Sequence, residues 1–264
     1  MLTYVVIPQF LVTEELVALA ENAIKSYRES SNVFIISVDD AGEYSKAKNA
    51  DEVMALSDLI LTNTKNSGFA VTCNNGFRWI FENEKKDCYI ICSNNDILVN
   101  SRVIPALTEP FKLFDSVAIT GIISTKEDTW EGKPLEEIDL GVISEGGLLR
   151  DRMQDGGLWC STKNILQEIG IFDEQFLRGG YEDVDLFLRA RDTFGKKIVM
   201  SGRAVYWHKQ GATRWNTEKI GAVNNFGQES RNIENDNLDK FINKWGYNPH
   251  QRQIWNEKLI FNAF

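Results

Sequence analysis

The segment CYIICSNND, residues 88–96, joins five apolar residues to four polar ones. A short apolar run that ends in polar residues is typical of a buried strand, which predicts a strand over Cys88–Cys92. Four other runs have the same character, and they predict strands over Leu2–Ile7, Val33–Val38, Leu59–Thr62 and Val117–Thr120.

Segments with helical periodicity separate these runs. They predict helices over Glu14–Ser26, Asp51–Ser57, Phe69–Phe81 and Ser101–Phe114, and Thr13 is a suitable N-cap for the first of them. The alternation of strand and helix over residues 1–120 predicts an α/β fold with a mostly parallel sheet. Ligands of such sheets bind beyond the carboxyl ends of the strands, so the residues that follow each strand are the first candidates for a site.

The second half of the chain begins with a polar, glycine-containing segment, Ser124–Gln154. A connection of this length inside a compact domain is usually functional or disordered, and we expect a mobile lid with Trp130 as its aromatic anchor. Further on, Ala204–Trp207 predicts a strand that ends on His208. The resulting domain prediction is a main domain over residues 1–210, with halves 1–123 and 124–210, followed by a helical extension over residues 211–264.

Composition limits the function classes. There are 38 acidic and 29 basic residues, and the formal net charge of −9 disfavours a broad nucleic-acid-binding surface. The four cysteines form no CxxC pair, which disfavours a zinc site and favours buried free thiols in a reducing compartment. The first residues have no basic segment typical of a signal peptide, and no apolar run approaches the roughly 18 residues of a membrane span. These observations predict a cytoplasmic protein without a transmembrane segment.

The segment GGYEDVDLFLRAR, residues 179–191, has two interpretations. Val184, Phe187 and Leu188 follow the spacing of a buried helical stripe, and acidic residues suit the first turn of any helix. The same acids, placed behind two glycines, could also be catalytic. The segment alone does not decide between them.

Several common α/β enzymes are disfavoured by motifs that the sequence lacks. The segment PQFLVTEEL after the first predicted strand contains no glycine, so a GxGxxG dinucleotide site is missing there, and no P-loop occurs in the chain. There is no GxSxG nucleophile motif, and only His208 and His250 are available for a catalytic triad.

The motifs that are present occur in a defined order: VDD, an NxGxAxxxNxG pattern from Asn66 to Gly76, then NND, GGLW, IGIFDEQF, GGYEDVDL and VYWH. Over about residues 3–210 this order resembles the family 2 inverting glycosyltransferases, which use nucleotide-diphospho-sugars and have the GT-A fold. The KWG sequence at Trp245 also occurs in many members of that family. The resemblance implies a Rossmann-like, mostly parallel sheet flanked by helices, with a C-terminal helical appendage.

The resemblance also implies a divalent metal ion, Mn²⁺ or Mg²⁺, bound by Asp96 and His208. A hard cation with oxygen ligands can neutralise the charge that develops on a leaving diphosphate. Asp39 corresponds to the acid that recognises the nucleotide base, with a UDP-sugar favoured over dTDP- and GDP-sugars. The residues implied to bind the nucleotide-sugar are Pro8, Asp39, Asn66, Asn74, Asn94, Asn95, Gly157 and Trp159.

In the family that this sequence resembles, the general base is the aspartate of an ED pair at a helix start. That position is Asp183 here, and Glu182 is its neighbour, either contacting the acceptor or supporting the start of the helix. Asp185 lies about 200° around the helix from Asp183, at about 100° per residue, which indicates a role as a cap or scaffold.

Three alternatives remain open at this point. The first is a domain that binds sugar nucleotides or glycans without catalysis, against which the intact Asp96 and Asp183 argue. The second is a nucleotidyltransferase, which would normally carry a glycine-rich basic loop where this chain has PQFLVTEEL. The third concerns the acceptor, which is a glycan or another hydroxyl compound. Hydroxymethylated DNA bases are acceptors of some relatives, and the net charge disfavours them here.

Overall fold

The computed structural model of the protein describes residues 1–126, 129–130, 133–137, 156–213, 216 and 226–249. Its strands are β1 (Thr3–Gln9), β2 (Phe34–Asp39), β3 (Leu59–Thr62), β4 (Tyr89–Ser93), β5 (Ile97–Leu98), β6 (Val117–Thr125), β7 (Thr129–Trp130), β8 (Lys133–Pro134), β9 (Leu158–Thr162) and β10 (Lys197–His208). Its α-helices are α1 (Glu14–Ser30), α2 (Ala50–Met54), α3 (Phe69–Asn83), α4 (Val103–Thr108), α5 (Pro110–Leu113), α6 (Lys163–Ile169), α7 (Glu182–Leu188) and α8 (Phe226–Trp245).

Within these described residues, eight strands form one mixed sheet in the order β3-β2-β1-β4-β9-β6-β10-β5. The pairs β1–β2, β2–β3, β1–β4 and β6–β10 are parallel, whereas β9 is antiparallel to both of its neighbours and β5 is antiparallel to β10. The chain runs outward from β1 to β3 and then returns to the other side of β1 as β4. This reversal is the position at which open α/β sheets bind ligands.

Helices cover both faces of the sheet because the strands are apolar on both sides. In β1, Val5 and Ile7 pack in one core cluster with residues of α1, α2 and α4. Tyr4 and Val6, which alternate with them, pack on the opposite face with residues of α3, α6 and α7. The central strands β1, β2 and β4 are therefore buried on both faces, as the continuous apolar runs predicted.

The strands that the sequence predicted in the first half are all present, within two residues at their starts. Thr13 caps α1 as predicted, since its side chain accepts a hydrogen bond from Leu16 N at 3.3 Å. The single helix predicted over Ser101–Phe114 is instead two short helices, α4 and α5. Pro110 opens the second of them at its first position, because proline lacks the N–H that would continue the first helix.

Much of the predicted lid, Ser124–Gln154, lies outside the described residues. Its described parts are the end of β6, the β7–β8 hairpin and a 3₁₀ turn at Leu135–Glu137. Among the described residues, no helix is long and apolar enough to cross a membrane. All four cysteines are buried and free, as predicted, and the sulfur atoms of Cys73 and Cys92 lie 3.7 Å apart.

Candidate functional site

The carboxyl ends of the first three strands lie side by side. Gln9 at the end of β1 pairs with Asp39 at the end of β2, and Asp39 pairs with Thr62 at the end of β3. Asp39 is buried, and its carboxylate accepts hydrogen bonds from Ala41 N at 3.0 Å and from Lys46 Nζ at 3.2 Å. The predicted base-recognition acid is therefore ionically paired at the edge of the sheet. Pro8, also predicted to bind the nucleotide, is half-buried near the end of the neighbouring strand β1.

Asp40 anchors the segment that leads into α3. Its carboxylate accepts hydrogen bonds from the backbone N–H groups of Ser67 and Gly68 at 2.8 and 3.0 Å and from Asn63 Nδ2 at 2.7 Å. Burial raises the pKa of this carboxyl group above its ordinary value, although the hydrogen bonds act in the opposite direction. Asn66 donates to the backbone oxygen of Asp40 at 2.8 Å and is half-buried beside these strand ends.

Two of the predicted nucleotide-binding residues, Asn74 and Trp159, are fully buried in the described structure, and their role as nucleotide contacts remains a prediction. Asn74 is fully buried, and its amide is saturated by both backbone groups of Phe172 and by Glu174 Oε1, at 2.9–3.1 Å. Trp159 is also fully buried, because it sits in the middle of the sheet on β9 and packs edge-on against Phe172. Both side chains pack between α3, β9 and the segment before α7, where they stabilise the fold.

The NND motif directly follows β4, at the reversal of the sheet. Asn95 is buried and donates to Gln9 Oε1 at 3.1 Å, which ties this motif to the end of β1. The backbone N–H of Asn94 donates to the carbonyl oxygen of Gly157 at 2.8 Å. The motif is thus fixed on one side by β1 and on the other by the glycine pair that opens β9.

Asp96 and His208 meet because β5 pairs antiparallel with the end of β10. Ile97 lies opposite His208 in this ladder, which brings His208 Nε2 to 3.2 Å from Asp96 Oδ1. His208 Nε2 also lies 3.2 Å from Asn94 Nδ2. Both Asp96 and His208 are buried.

Several oxygen and nitrogen atoms of this cluster lack an aligned hydrogen bond to any described residue: Asn94 Oδ1, Asp96 Oδ1 and His208 Nδ1. Buried polar atoms are normally paired, so these atoms are available to a ligand. No group of three His, Cys, Asp or Glu side chains in the described part of the chain is arranged to hold a metal by itself. A pair of protein ligands does fit Mg²⁺ or Mn²⁺ at a diphosphate, because substrate phosphates and water commonly complete the coordination of such ions.

Glu182 and Asp183 open α7, as both interpretations of their segment predicted. Glu182 is buried; its carboxylate accepts hydrogen bonds from its own N–H and that of Gly180, and its Oε2 has no partner among the described residues. Burial, together with the negative charge of Asp183, raises the pKa of Glu182 to about 8. The pair therefore holds one carboxyl group that stays protonated near neutral pH.

Asp183 is partly exposed, and its Oδ1 accepts a hydrogen bond from Val184 N at 2.7 Å. A Cβ added to Gly156 would lie 2.8 Å from Asp183 Oδ2, so the glycine lets the carboxylate lie directly against this backbone. Gly156 precedes Gly157, which holds Asn94. The glycine pair consequently connects the predicted base to the predicted metal motif.

Asp185 has the scaffold role that its position predicted. It is fully buried and binds Arg189 Nε at 2.8 Å, Trp245 Nε1 at 2.9 Å and Lys244 Nζ at 2.8 Å. Sequence reasoning missed Gln9, Asp40 and Gly156. Gln9 and Asp40 could have been found only as polar residues at the ends of apolar runs. Gly156 could have been found only because it stands beside Gly157.

The sequence matches no protein-family model and no curated protein. Its structure is similar to that of GalNAc-T7 with UDP, GalNAc and Mn²⁺ (TM-score 0.58, 16% identity, covering 78% of this chain and 43% of that one). It is also similar to the mannosyltransferase PcManGT from Pyrobaculum calidifontis in complex with GDP-Man and Mn²⁺ (0.55, 14%, 82% and 60%).

A third similar structure is glucosyl-3-phosphoglycerate synthase from Mycobacterium tuberculosis in complex with Mn²⁺, UDP and glucosyl-3-phosphoglycerate (TM-score 0.56, 13% identity, 93% of this chain and 80% of that one). This chain spans about two fifths and three fifths of the lengths of the first two proteins. At these identities the similarity shows the fold, and the fold of this chain is that of the GT-A glycosyltransferases, as the motif order predicted.

Proposed function

We propose that this protein is an inverting glycosyltransferase of the family 2 type, which moves a sugar from a nucleotide-diphospho-sugar to an acceptor hydroxyl. The observation that carries the proposal is that the glycine pair Gly156–Gly157 contacts both the motif that contains Asp96 and the carboxylate of Asp183. Asn94, in the motif that contains Asp96, is bonded to Gly157, and Asp183 lies against Gly156. A leaving-group site and a base site are thereby held beside each other at the carboxyl edge of the sheet.

Asp183 is the general base in this mechanism. An inverting transfer is a single displacement: the acceptor oxygen forms a bond to the anomeric carbon while the bond from that carbon to the diphosphate oxygen breaks. Asp183 takes the proton of the acceptor hydroxyl as that oxygen attacks, and the nucleoside diphosphate leaves with the bonding electron pair. The partial exposure of Asp183 gives an acceptor access to the carboxylate.

Asp96 and His208 would hold the divalent metal ion, and Asn94 Oδ1 is a third atom available there. When bound, Mn²⁺ or Mg²⁺ supplies positive charge that stabilises the departing diphosphate. Asp39, with Asn66 beside it, is the proposed contact for the nucleotide base. A UDP-sugar is the favoured donor, which agrees with the UDP in two of the three similar structures.

The experiment is an incubation with UDP-glucose, UDP-galactose, UDP-N-acetylglucosamine and GDP-mannose in the presence of Mn²⁺, read as release of nucleoside diphosphate. The first-formed anomer of the released sugar is followed by NMR, and an α-linked donor should give the β anomer. Asp183→Asn should lower the release rate by about 10²- to 10⁴-fold, the usual contribution of a general base. Donor binding should be unchanged.

Asp192→Asn is the matched control, because Asp192 is an exposed acid of the turn that follows α7. It should release nucleoside diphosphate like the wild type. Turnover of Asp183→Asn near the wild-type rate would refute the role of Asp183. Binding of a donor without release by the wild-type protein would instead favour a domain that binds sugar nucleotides without catalysis.

A further inference from the structure

The backbone that leads into the two acids of α7 has an unusual conformation. Four successive residues have positive φ: Arg178 (57°), Gly179 (110°), Gly180 (108°) and Tyr181 (73°). Glycine tolerates these angles, but arginine and tyrosine disfavour the left-handed region. Such a strained stretch persists only where surrounding contacts fix it, and strain of this kind is concentrated at functional sites.

Asn237 of α8 supplies contacts of this kind. Its side chain is fully buried. Its Oδ1 accepts a hydrogen bond from Leu177 N at 3.2 Å, and its Nδ2 lies within 2.9–3.3 Å of the carbonyl oxygens of Leu177, Gly179 and Gly180. One amide thus holds the residue before the strained stretch and two glycines within it, although Asn237 is nearly 60 residues away in the sequence.

Two further residues on the same face of α8 contact Tyr181 and Asp185 at the start of α7. Phe241, one turn after Asn237, packs its ring 5.6 Å from that of Tyr181, the residue that caps α7. Trp245, one turn further, donates to Asp185 inside α7 at 2.9 Å. A spacing of four residues places these three side chains along one stripe of the helix, so α8 docks on the start of α7 as a continuous surface.

We infer that Asn237 is a positioning residue for the proposed transfer reaction, which it serves by fixing the backbone of Arg178–Tyr181 and thereby the carboxylates of Glu182 and Asp183. The inference rests on the proposed function, in which Asp183 is the base. Asn237 contacts no reacting atom. It acts through the loop, because Gly180 both accepts from Asn237 and donates its N–H to the Glu182 carboxylate.

A positioning role has a kinetic signature that differs from a role in stability alone. Asn237 binds the backbone of Leu177, Gly179 and Gly180, whereas the proposed nucleotide contacts lie at the end of β2 (Asp39) and in the segment between β3 and α3 (Asn66). Loss of Asn237 should therefore lower turnover more than nucleotide affinity, because Asn66 is held separately by Asp40. A displacement of about 1 Å at a reacting group can lower a rate by about 100-fold.

The test compares Asn237→Ala with Trp245→Phe, which removes a different hydrogen bond between α8 and α7 and leaves the loop contacts in place. Asn237→Ser, which replaces the amide by a hydroxyl that can still donate and accept one hydrogen bond, covers the case in which the alanine variant does not fold. For each protein, kcat and KM are measured by release of nucleoside diphosphate from the donor that the wild type accepts. The dissociation constant for UDP with Mn²⁺ and the amide hydrogen exchange of residues 177–185 are measured on the same samples.

We expect Asn237→Ala to lower kcat by about 10- to 100-fold, with UDP affinity within about twofold of the wild type and faster exchange at residues 178–183. Asn237→Ser should show a smaller change in the same direction, and Trp245→Phe should keep the wild-type kcat. The inference is overturned if kcat of the folded Asn237 variants stays within twofold of the wild type, if Trp245→Phe loses as much kcat, or if kcat and UDP affinity fall together. Absence of nucleoside diphosphate release by the wild type would overturn the proposed function first, and that result is visible before any variant is made.

Discussion

Replacing Glu182 by glutamine should change how the stability of the protein depends on pH. The fold raises the pKa of Glu182 from 4.5 to about 8, chiefly by burial and further through the charge of Asp183. Between pH 4.5 and about pH 8, Glu182 is therefore protonated in the folded state and ionised in the unfolded state. The stabilisation from this proton is complete below about pH 4.5 and is lost as the pH rises toward 8.

The size of the effect follows from the two pKa values. Each tenfold difference in proton affinity corresponds to about 1.4 kcal/mol, so the rise from 4.5 to about 8 corresponds to a total on the order of 5 kcal/mol for the coupled pair. Glutamine has nearly the same shape as protonated glutamate and never ionises. At pH 5 the variant and the wild type should differ little, and at pH 8 the variant should be more stable by about 3 to 5 kcal/mol.

The assay is urea unfolding of both proteins at constant ionic strength between pH 5 and pH 8.5. Glu82→Gln is the matched control, because Glu82 is an exposed glutamate on α3, and it should show no pH-dependent difference. If the difference in unfolding free energy between Glu182→Gln and the wild type is the same at pH 5 and pH 8, the reasoning about Glu182 is wrong.

Three further substitutions test the site. Asp96→Ala should abolish the dependence of nucleoside diphosphate release on Mn²⁺ together with most of the activity, since it removes a proposed metal ligand; full wild-type activity in excess chelator would contradict this. Asp39→Ala should raise KM for the donor more than it lowers kcat, and unchanged donor affinity would place base recognition elsewhere. Asn74→Ala should lower the free energy of unfolding by about 2 to 4 kcal/mol, because it leaves the backbone of Phe172 unpaired in the core, and a raised KM without lost stability would instead favour Asn74 as a nucleotide contact.

The prediction of strands from apolar runs succeeded mainly because both faces of the central strands are buried. β1, β2 and β4 were found from their apolar runs because these strands are buried on both sides, and the edge strand β3 was found in the same way although Ile60 and Thr62 are exposed. The break between α4 and α5 was missed, although Pro110 was visible, because the apolar pattern continues across it. The predicted division at residue 210 remains a prediction, and the contacts of Asn237 and Trp245 with the segment around α7 cross it.

The candidate site could be located from the sequence but not assigned side chain by side chain. Asp39 ends β2, and Asn94 and Asp96 lie in the segment after β4. Parallel strands carry their carboxyl ends to a common edge, so the neighbourhood of these residues was predictable. Asn74 and Trp159 belong to the same motifs, yet both point into the core. A motif specifies which residues are present, and the direction of a side chain depends on the neighbours that its helix or strand acquires in the fold.

The sequence by itself determined the alternation of strands and helices, the polar strand ends and the start of α7, because these depend on hydrophobicity and turn chemistry over a few neighbouring residues. Only the tertiary structure decided that the β5–β10 pairing brings His208 to Asp96, that Asp183 lies against Gly156 and that Asn237 holds the backbone of residues 177–180. Each of these contacts joins residues at least 27 positions apart. The order of the strands and the docking of α8 bring these distant segments together at one edge of the sheet. At that edge, burial raises the pKa of Glu182, and the contacts of Asn237 stabilise the strained backbone before α7.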